Sequence, residues 1–190
     1  MARELRVEAG TLLAAFPDML DPNFMHSVVL ICQHTEHGAH GVITNRATEL
    51  AVKDLLPDHP TLGSSSFPVF LGGPVDHNSL QFVHVVPAEV PGGVSIDGKL
   101  WLGGDLAALG QYLARAPLEA AGRVRLFLGY AGWSAGQLEG ELGTGSWLPA
   151  PPSPAAIFGP PGEATWRRVV RSIGRAGEGL EQLPPDVSWN

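Results

Sequence analysis

The stretch GYAGWSAGQLEGEL, Gly129 to Leu142, can be parsed in two ways, and the choice sets the fold. Gly132–Gly136 spells G-x-S-x-G behind a strand-like run and ahead of a helix-like one, the setting of a hydrolase nucleophile elbow. Such an elbow takes its histidine from later in the chain, whereas all seven histidines, of which His84 is the last, precede Ser134. Ser134 also stands three residues before Gln137, the spacing of a capping box. It is therefore read as a helix cap. Gly132, Gly136 and Gly140 then recur every fourth residue, and each glycine inside a short helix costs on the order of 1 kcal/mol. Close packing against a strand or ring is expected to return that energy, with Tyr130, Trp133 and Trp147 nearby.

Upstream, Arg123–Leu128 alternates and puts Val124, Leu126 and Leu128 on one side of a strand. Gly10–Phe16, Ser27–His34, His40–Thr44, Pro68–Leu71 and Leu80–Val86 read as further strands, the second and third joined as a hairpin through Thr35–Ala39. Val94–Ile96 and Lys99–Leu102 flank Asp97-Gly98, which suits a type I′ turn. Leu50–Leu56 predicts two helical turns stopped by Pro57 and Pro60. Asp105 caps a helix running to Arg115 with Leu106, Leu109 and Leu113 on one face. The segment Pro149–Gly162, with six prolines, reads as an ordered loop carrying an edge strand. Glu163–Ile173 places Trp166, Val169, Val170 and Ile173 at helical spacing. These elements predict an α/β fold of the α+β type: one domain over residues 1–175, a mixed, largely antiparallel, curved sheet with flanking helices, and a flexible tail over 176–190.

Three strands run into glycine: Phe70-Leu-Gly-Gly, Trp101-Leu-Gly-Gly and Phe127-Leu-Gly-Tyr. Glycine ends strands commonly. Were these ends neighbours, they would also line a crevice with backbone N–H groups suited to an anion.

GYAGWSAGQLEGEL followed by Trp147-Leu-Pro resembles the central signature of the YqgE/AlgH family of bacterial proteins. The likeness extends to GTLLAAFPDMLDPNF, to SVVLICQH with GVITNR, to VFLGGPV and to the Asp105 helix, over roughly residues 8 to 175. The resemblance implies a small soluble protein with a mixed, strongly curved sheet and flanking helices, in a family of unresolved activity that carries the label of transcriptional regulator. Three positions depart from the family pattern: Ser134 where glycine is common, Ala47 where Asn-Arg is usually followed by proline, and His26 where arginine is usual.

Composition narrows the function classes. A net charge of −7 disfavours long-range attraction to nucleic acid or anionic membrane. The single cysteine, Cys32, excludes an internal disulfide and fits a reducing cytoplasm. No apolar run approaches the ~20 residues of a membrane span. Cys32, His34, His37 and His40 are ligand types, but a buried thiol with solvated loop histidines explains them as well, and neither a metal nor a cofactor is expected. Arg167, Arg171 and Arg175, with Arg168 beside them, form a basic stripe without the partner helix of a helix-turn-helix, so direct nucleic-acid contact is not expected. Among the carboxylates, Glu139 and Glu141 diverge on a helix, while Glu139 is placed toward the glycine crevice. The resulting expectation is a non-enzymatic regulatory or binding protein acting through a partner protein or a small anionic ligand, at a site of Asn45, Arg46, Gly72, Gly73, Gly132 and Glu139. The alternative is an enzyme on a nucleotide-like or phosphorylated substrate, with Arg46 as anion clamp and Glu139 as base; catalytic residues are otherwise unknown.

Overall fold

The computed structural model describes residues 6–174, 177 and 179–182. Among them are β1 (Leu12–Ala15), β2 (Val28–Thr35), β3 (Gly38–Ile43), β4 (Ala47–Ala51), α1 (Val52–Leu55), β5 (Pro68–Leu71), β6 (Val75–His84), β7 (Val94–Ser95), β8 (Trp101–Leu102) and α2 (Leu106–Arg115). There follow α3 (Pro117–Ala120), β9 (Val124–Ser134), α4 (Gln137–Gly143), β10 (Trp147–Ala150), α5 (Pro154–Phe158) and α6 (Glu163–Ser172). The strands make one open mixed sheet in the order β10-β1-β2-β3-β9-β6-β8-β7, with β4 and β5 as a branch. Every pairing along that path is antiparallel, and β5 lies parallel to β9. The fold is thus the expected single α+β domain.

β9 is the organising strand. β6 follows one edge of it, from His84 opposite Val124 to Val75 opposite Tyr130. On the other edge β5 lies beside Leu126–Leu128 and β3 beside Ala131–Ser134. The change of partner falls at Gly72, whose N–H donates to the Leu128 carbonyl at 2.9 Å and whose carbonyl accepts from the Ile43 N–H at 2.7 Å.

Alternation divides the side chains between two faces. Leu12, Leu30, Val42 and Phe127 pack under α5 and α6 against Ile157, Phe158, Trp166 and Val170. The opposite face carries Val69, Phe82 and Leu126 against Leu109, Tyr112 and Leu113 of α2. Further along, Leu13, Val29 and Ile31 meet Trp133, Leu138 and Trp147. Gly129, at φ +72°, resets the alternation within β9, so that Phe127 and Tyr130, three residues apart, both serve the α5–α6 face.

That reset alters the reading of the opening stretch. Gly132 and Ser134 belong to β9, and the helix starts later, at Gln137, behind Gly136 at φ +77°. The Ser134 N–H and hydroxyl both donate to Gln137 Oε1, at 3.0 and 3.2 Å. The reach-back half of a capping box forms, but the hydroxyl accepts no helix N–H. The four-residue glycine spacing is not a packing seam either, since a Cβ on Gly140 would meet nothing within 4 Å.

Elsewhere the differences are local. Leu50–Leu56 divides into the end of β4 and one turn of α1, because its residues extend the β4–β5 pairing before Pro57 is reached. The Asp97-Gly98 connection is wider than a two-residue turn: Asp97 Oδ1 accepts from the Lys99 and Leu100 N–H groups, and the Ile96 N–H donates to the Leu100 carbonyl. The proline-rich segment holds the edge strand β10 and also α5, capped by the Ser153 hydroxyl accepting from the Ala156 N–H at 3.3 Å. Asp105 caps α2 through the Ala108 N–H at 2.7 Å. Of the tail, Leu180–Gln182 forms a 3-10 turn beside α6, and 183–190 lie outside the described residues. Among the described residues no helix is long and apolar enough to cross a membrane.

Candidate functional site

The structure disperses the six sequence candidates. Asn45 is buried at the end of β3, where Oδ1 accepts from the Val28 N–H at 2.9 Å and Nδ2 donates to the carbonyls of His26 (3.0 Å) and Gly162 (3.1 Å). Arg46 donates to the carbonyls of Pro22 and Met25, both at 2.9 Å, and its burial lowers its pKa against the opposing pull of Asp21. β5 runs into Gly72 beside Gly129, but Gly129 lies inside β9 and not at its end, and chain fills the space between them. A Cβ on Gly72 would stand 2.3 Å from the Gly129 carbonyl oxygen, and one on Gly73 2.1 Å from the Tyr130 carbonyl carbon.

Glu139 lies elsewhere. It accepts from His34 Nε2 at 2.6 Å, while His34 Nδ1 meets the Val7 carbonyl at 2.9 Å. The backbone N–H at its own position and then His34 hold its carboxyl below the usual range. His34 pairs with Ala39 at the start of β3, and Arg46 follows the end of β3. Glu139 thus sits at one end of β3 and Arg46 beyond the other. The clamp and base of the enzymatic alternative are not brought together.

The third glycine-ended strand, β8, opens onto a site that the sequence did not mark as a whole. A cleft of about 400 Å³ is lined by His40, Gln81, Leu102, Gly103 and Leu106, among others. His40 and Val42 share a strand face, as do Gln81 and Val83, and Val42 and Val83 both join the α5–α6 core. His40 therefore projects from β3 and Gln81 from β6 on the same side of the sheet, with β9 between them. Gly132, one of the six candidates, is the register partner of His40 on β9 but does not itself line the cleft. The His40 ring lies 4.8 Å from that of Tyr130.

The polar groups here are few, and one of them is orphaned. Gln81 Oε1 is buried without a hydrogen-bond partner. Burial lowers the His40 pKa; the Gln81 amide approaches the ring without meeting hydrogen-bond geometry and offsets this only in part. Gly103, at φ +70°, has nothing within 4 Å of where a Cβ would be. Its carbonyl accepts from His84 Nε2 at 3.0 Å, and His84 Nδ1 accepts from the Val86 N–H at 3.2 Å. His84 is thereby fixed as the neutral tautomer with its proton on Nε2, and burial lowers its pKa. One signal for the cleft was present in the sequence: Gln81 is the polar residue interrupting the run Leu80–Val83.

The remaining constellations serve packing. Cys32 is buried in the α5–α6 core with its thiol pushed up to about 12 by burial; His34 is bound to Glu139, His37 is exposed, and His40 faces the cleft. Arg167 pairs with Glu163, and Arg171 lies 3.8 Å from Glu181, while Arg175 falls outside the described residues. Glu141 Oε2 accepts from both indoles, Trp133 Nε1 at 2.9 Å and Trp147 Nε1 at 2.8 Å, an anchoring role not evident from the sequence.

An open ten-stranded mixed sheet centred on β9, with helices on both faces, is an architecture shared with solved structures. The solution structure of the AlgH protein from Pseudomonas aeruginosa superposes with a TM-score of 0.72 at 28% identity, covering 92% of this chain and 93% of that one. A crystal structure of a Corynebacterium diphtheriae protein gives a TM-score of 0.69 at 28% identity, covering 96% and 94%. A UPF0301 protein of Chlorobium luteolum is 39% identical over 169 residues, 89% of this chain and 87% of its own. Another from Streptomyces coelicolor is 41% identical over 185 residues, 95% and 94% of the two chains. The AlgH-like family model (DUF179) matches residues 12–177. The chain belongs to the AlgH-like family.

Proposed function

We propose that this protein is a non-enzymatic cytoplasmic binding protein that regulates through a small ligand held in the His40–Gln81–Gly103 cleft, its occupancy being read by a partner protein. The buried, unpartnered Gln81 oxygen carries this proposal. A buried polar atom left unpaired costs about 1–3 kcal/mol, which a ligand donor would recover. The apolar walls and few polar groups match the usual make-up of small-molecule sites. An anionic ligand at the glycine-ended strands has weaker support, because Arg46 is committed to two carbonyls and Gly72 to backbone. Action through a partner, and not by direct contact with DNA, fits the engagement of Arg167 and Arg171 by carboxylates.

A thermal-shift panel of uncharged metabolites and nucleotides, run on the wild type and on Leu106→Trp, tests this. Leu106 lines the cleft and is 40% exposed, so an indole there fills the mouth without entering the core. Compounds that raise the melting temperature of the wild type but not of the variant are expected. A panel without hits, or hits that shift both proteins equally, would overturn the proposal.

A further inference from the structure

We infer that the cleft selects planar, uncharged heterocycles bearing an adjacent N–H and C=O, the lactam or imide edge found on pyrimidines and purines; this rests on the binding reading above. The first support is the Gln81 amide. Its oxygen is an acceptor with no partner, and the same group carries two N–H donors in the same plane. A ligand satisfies both halves at once by presenting a donor and an acceptor side by side in one plane, which a cis amide in a ring does. A flip of the Gln81 amide exchanges oxygen and nitrogen but preserves the pair, so the ligand edge would only reverse.

Charge gives the second support. Burial favours the neutral His40 imidazole, whose ring the Gln81 amide approaches on one side, so that its other nitrogen is one further uncharged donor or acceptor beside Gln81. No lysine, arginine or carboxylate lines the cleft. A phosphate or carboxylate inside it would be desolvated without a counter-charge, at a cost that no neutral donor there offsets. A charged substituent must point out of the open mouth. A purely aliphatic ligand fails for the opposite reason, since it would leave the Gln81 oxygen unpaired.

Shape is the third. Leu80, Leu102 and Leu106 supply apolar walls, and Gly103 leaves open space where a side chain would otherwise stand. A flat ring can therefore lie against backbone at β8. The volume of about 400 Å³ falls toward the small end of the ~300–1,000 Å³ typical of ligand sites, the scale of one or two fused rings and not of an extended peptide.

The test is a titration of the ¹⁵N-labelled full chain with uracil, hypoxanthine and 1,3-dimethyluracil, the last keeping the ring shape while losing both N–H donors. Uracil or hypoxanthine is expected to shift the Gly103 backbone and Gln81 side-chain amide signals saturably. 1,3-Dimethyluracil is expected to bind at least about tenfold more weakly, and Gln81→Met, which keeps the volume, to abolish that difference. Should Gln81→Met not fold, Leu106→Trp must eliminate the shifts instead. Equal binding of uracil and its dimethyl derivative in the cleft would overturn the edge selection while leaving the binding protein intact. Cleft signals that move only with panel compounds lacking a lactam edge would do the same. If neither these compounds nor any member of the thermal panel reaches the cleft, both proposals fall.

Discussion

At Gly72 a single methyl group would stand 2.3 Å from the Gly129 carbonyl oxygen and 2.8 Å from Phe127 Cβ. Neither atom is the loose end of a side chain, so backbone would have to move. Gly72→Ala is expected to destabilise by about 3 kcal/mol, the upper part of the overpacking range. Gly140 is the control. It lies inside α4 with nothing within 4 Å of a Cβ, so Gly140→Ala is expected to stabilise by about 0.5–1 kcal/mol through helix propensity alone. Urea midpoints at unchanged m-value measure both, and a stabilised Gly72→Ala would refute the close approach described here. The same comparison shows why glycine was hard to read in sequence. Gly72 and Gly140 are the same letter in equally glycine-rich surroundings, yet one is required by a neighbouring strand more than 50 residues away and the other by nothing the structure shows.

At the scale of the element, His84 ties the end of β6 to Gly103 beyond β8 through two hydrogen bonds, of which the one that Nδ1 accepts from the Val86 N–H needs the neutral ring. Its pKa is lowered by burial, as are those of His40 and, chiefly by the same cause, His26. In the unfolded chain these rings take up a proton near pH 6.5, whereas the folded protein resists protonation until lower pH. The unfolded state therefore binds more protons in that window, and stability is complete above about pH 6.5 and declines as pH falls toward the folded pKa values. Urea midpoints at pH 7.5 and 5.5 should show that decline, and His84→Gln, which can still donate to the Gly103 carbonyl, should flatten it. A midpoint that rises on acidification would contradict the assignment. Elements like this one were partly legible. The strands came mostly from apolar, β-branched runs and the two long helices from 3.6-residue spacing; the helices bury one stripe as read, whereas β1 and the start of β9 are buried on both faces. The Gly129–Ser134 extension of β9 was missed because its exposed positions include Gly132, so period two was carried only by the buried Ala131 and Trp133.

Across the whole molecule, Arg125 joins parts that no short-range pattern connects. Its guanidinium donates to the Thr44 carbonyl at 3.0 Å and the Gly159 carbonyl at 2.6 Å, and lies 4.0 Å over the Phe70 ring, so one side chain links β9, the end of β3, β5 and the α5–α6 connection. It is 5% exposed, and burial without a carboxylate partner lowers its pKa to about 10. Arg125→Ala removes the guanidinium donor from the buried Thr44 carbonyl and the part-buried Gly159 carbonyl and is expected to cost about 3 kcal/mol in chemical denaturation. Arg125→Lys should restore less than half of that, since an ammonium cannot lie flat on Phe70 and bridge both carbonyls; full rescue by lysine would refute the planar-bridge account. The same non-locality hid the cleft, because His40 and Gln81 become neighbours only through the strand order β3-β9-β6. The late place of β9 in the chain has a consequence for biosynthesis. β3, β5 and β6 all take it as their partner, so while the ribosome is still making residues 124–134 the apolar edges of three completed strands have nothing to zip onto. A nascent chain paused or cut short before that point is a sticky intermediate, and chaperone shelter during translation is where the demand created by this topology falls.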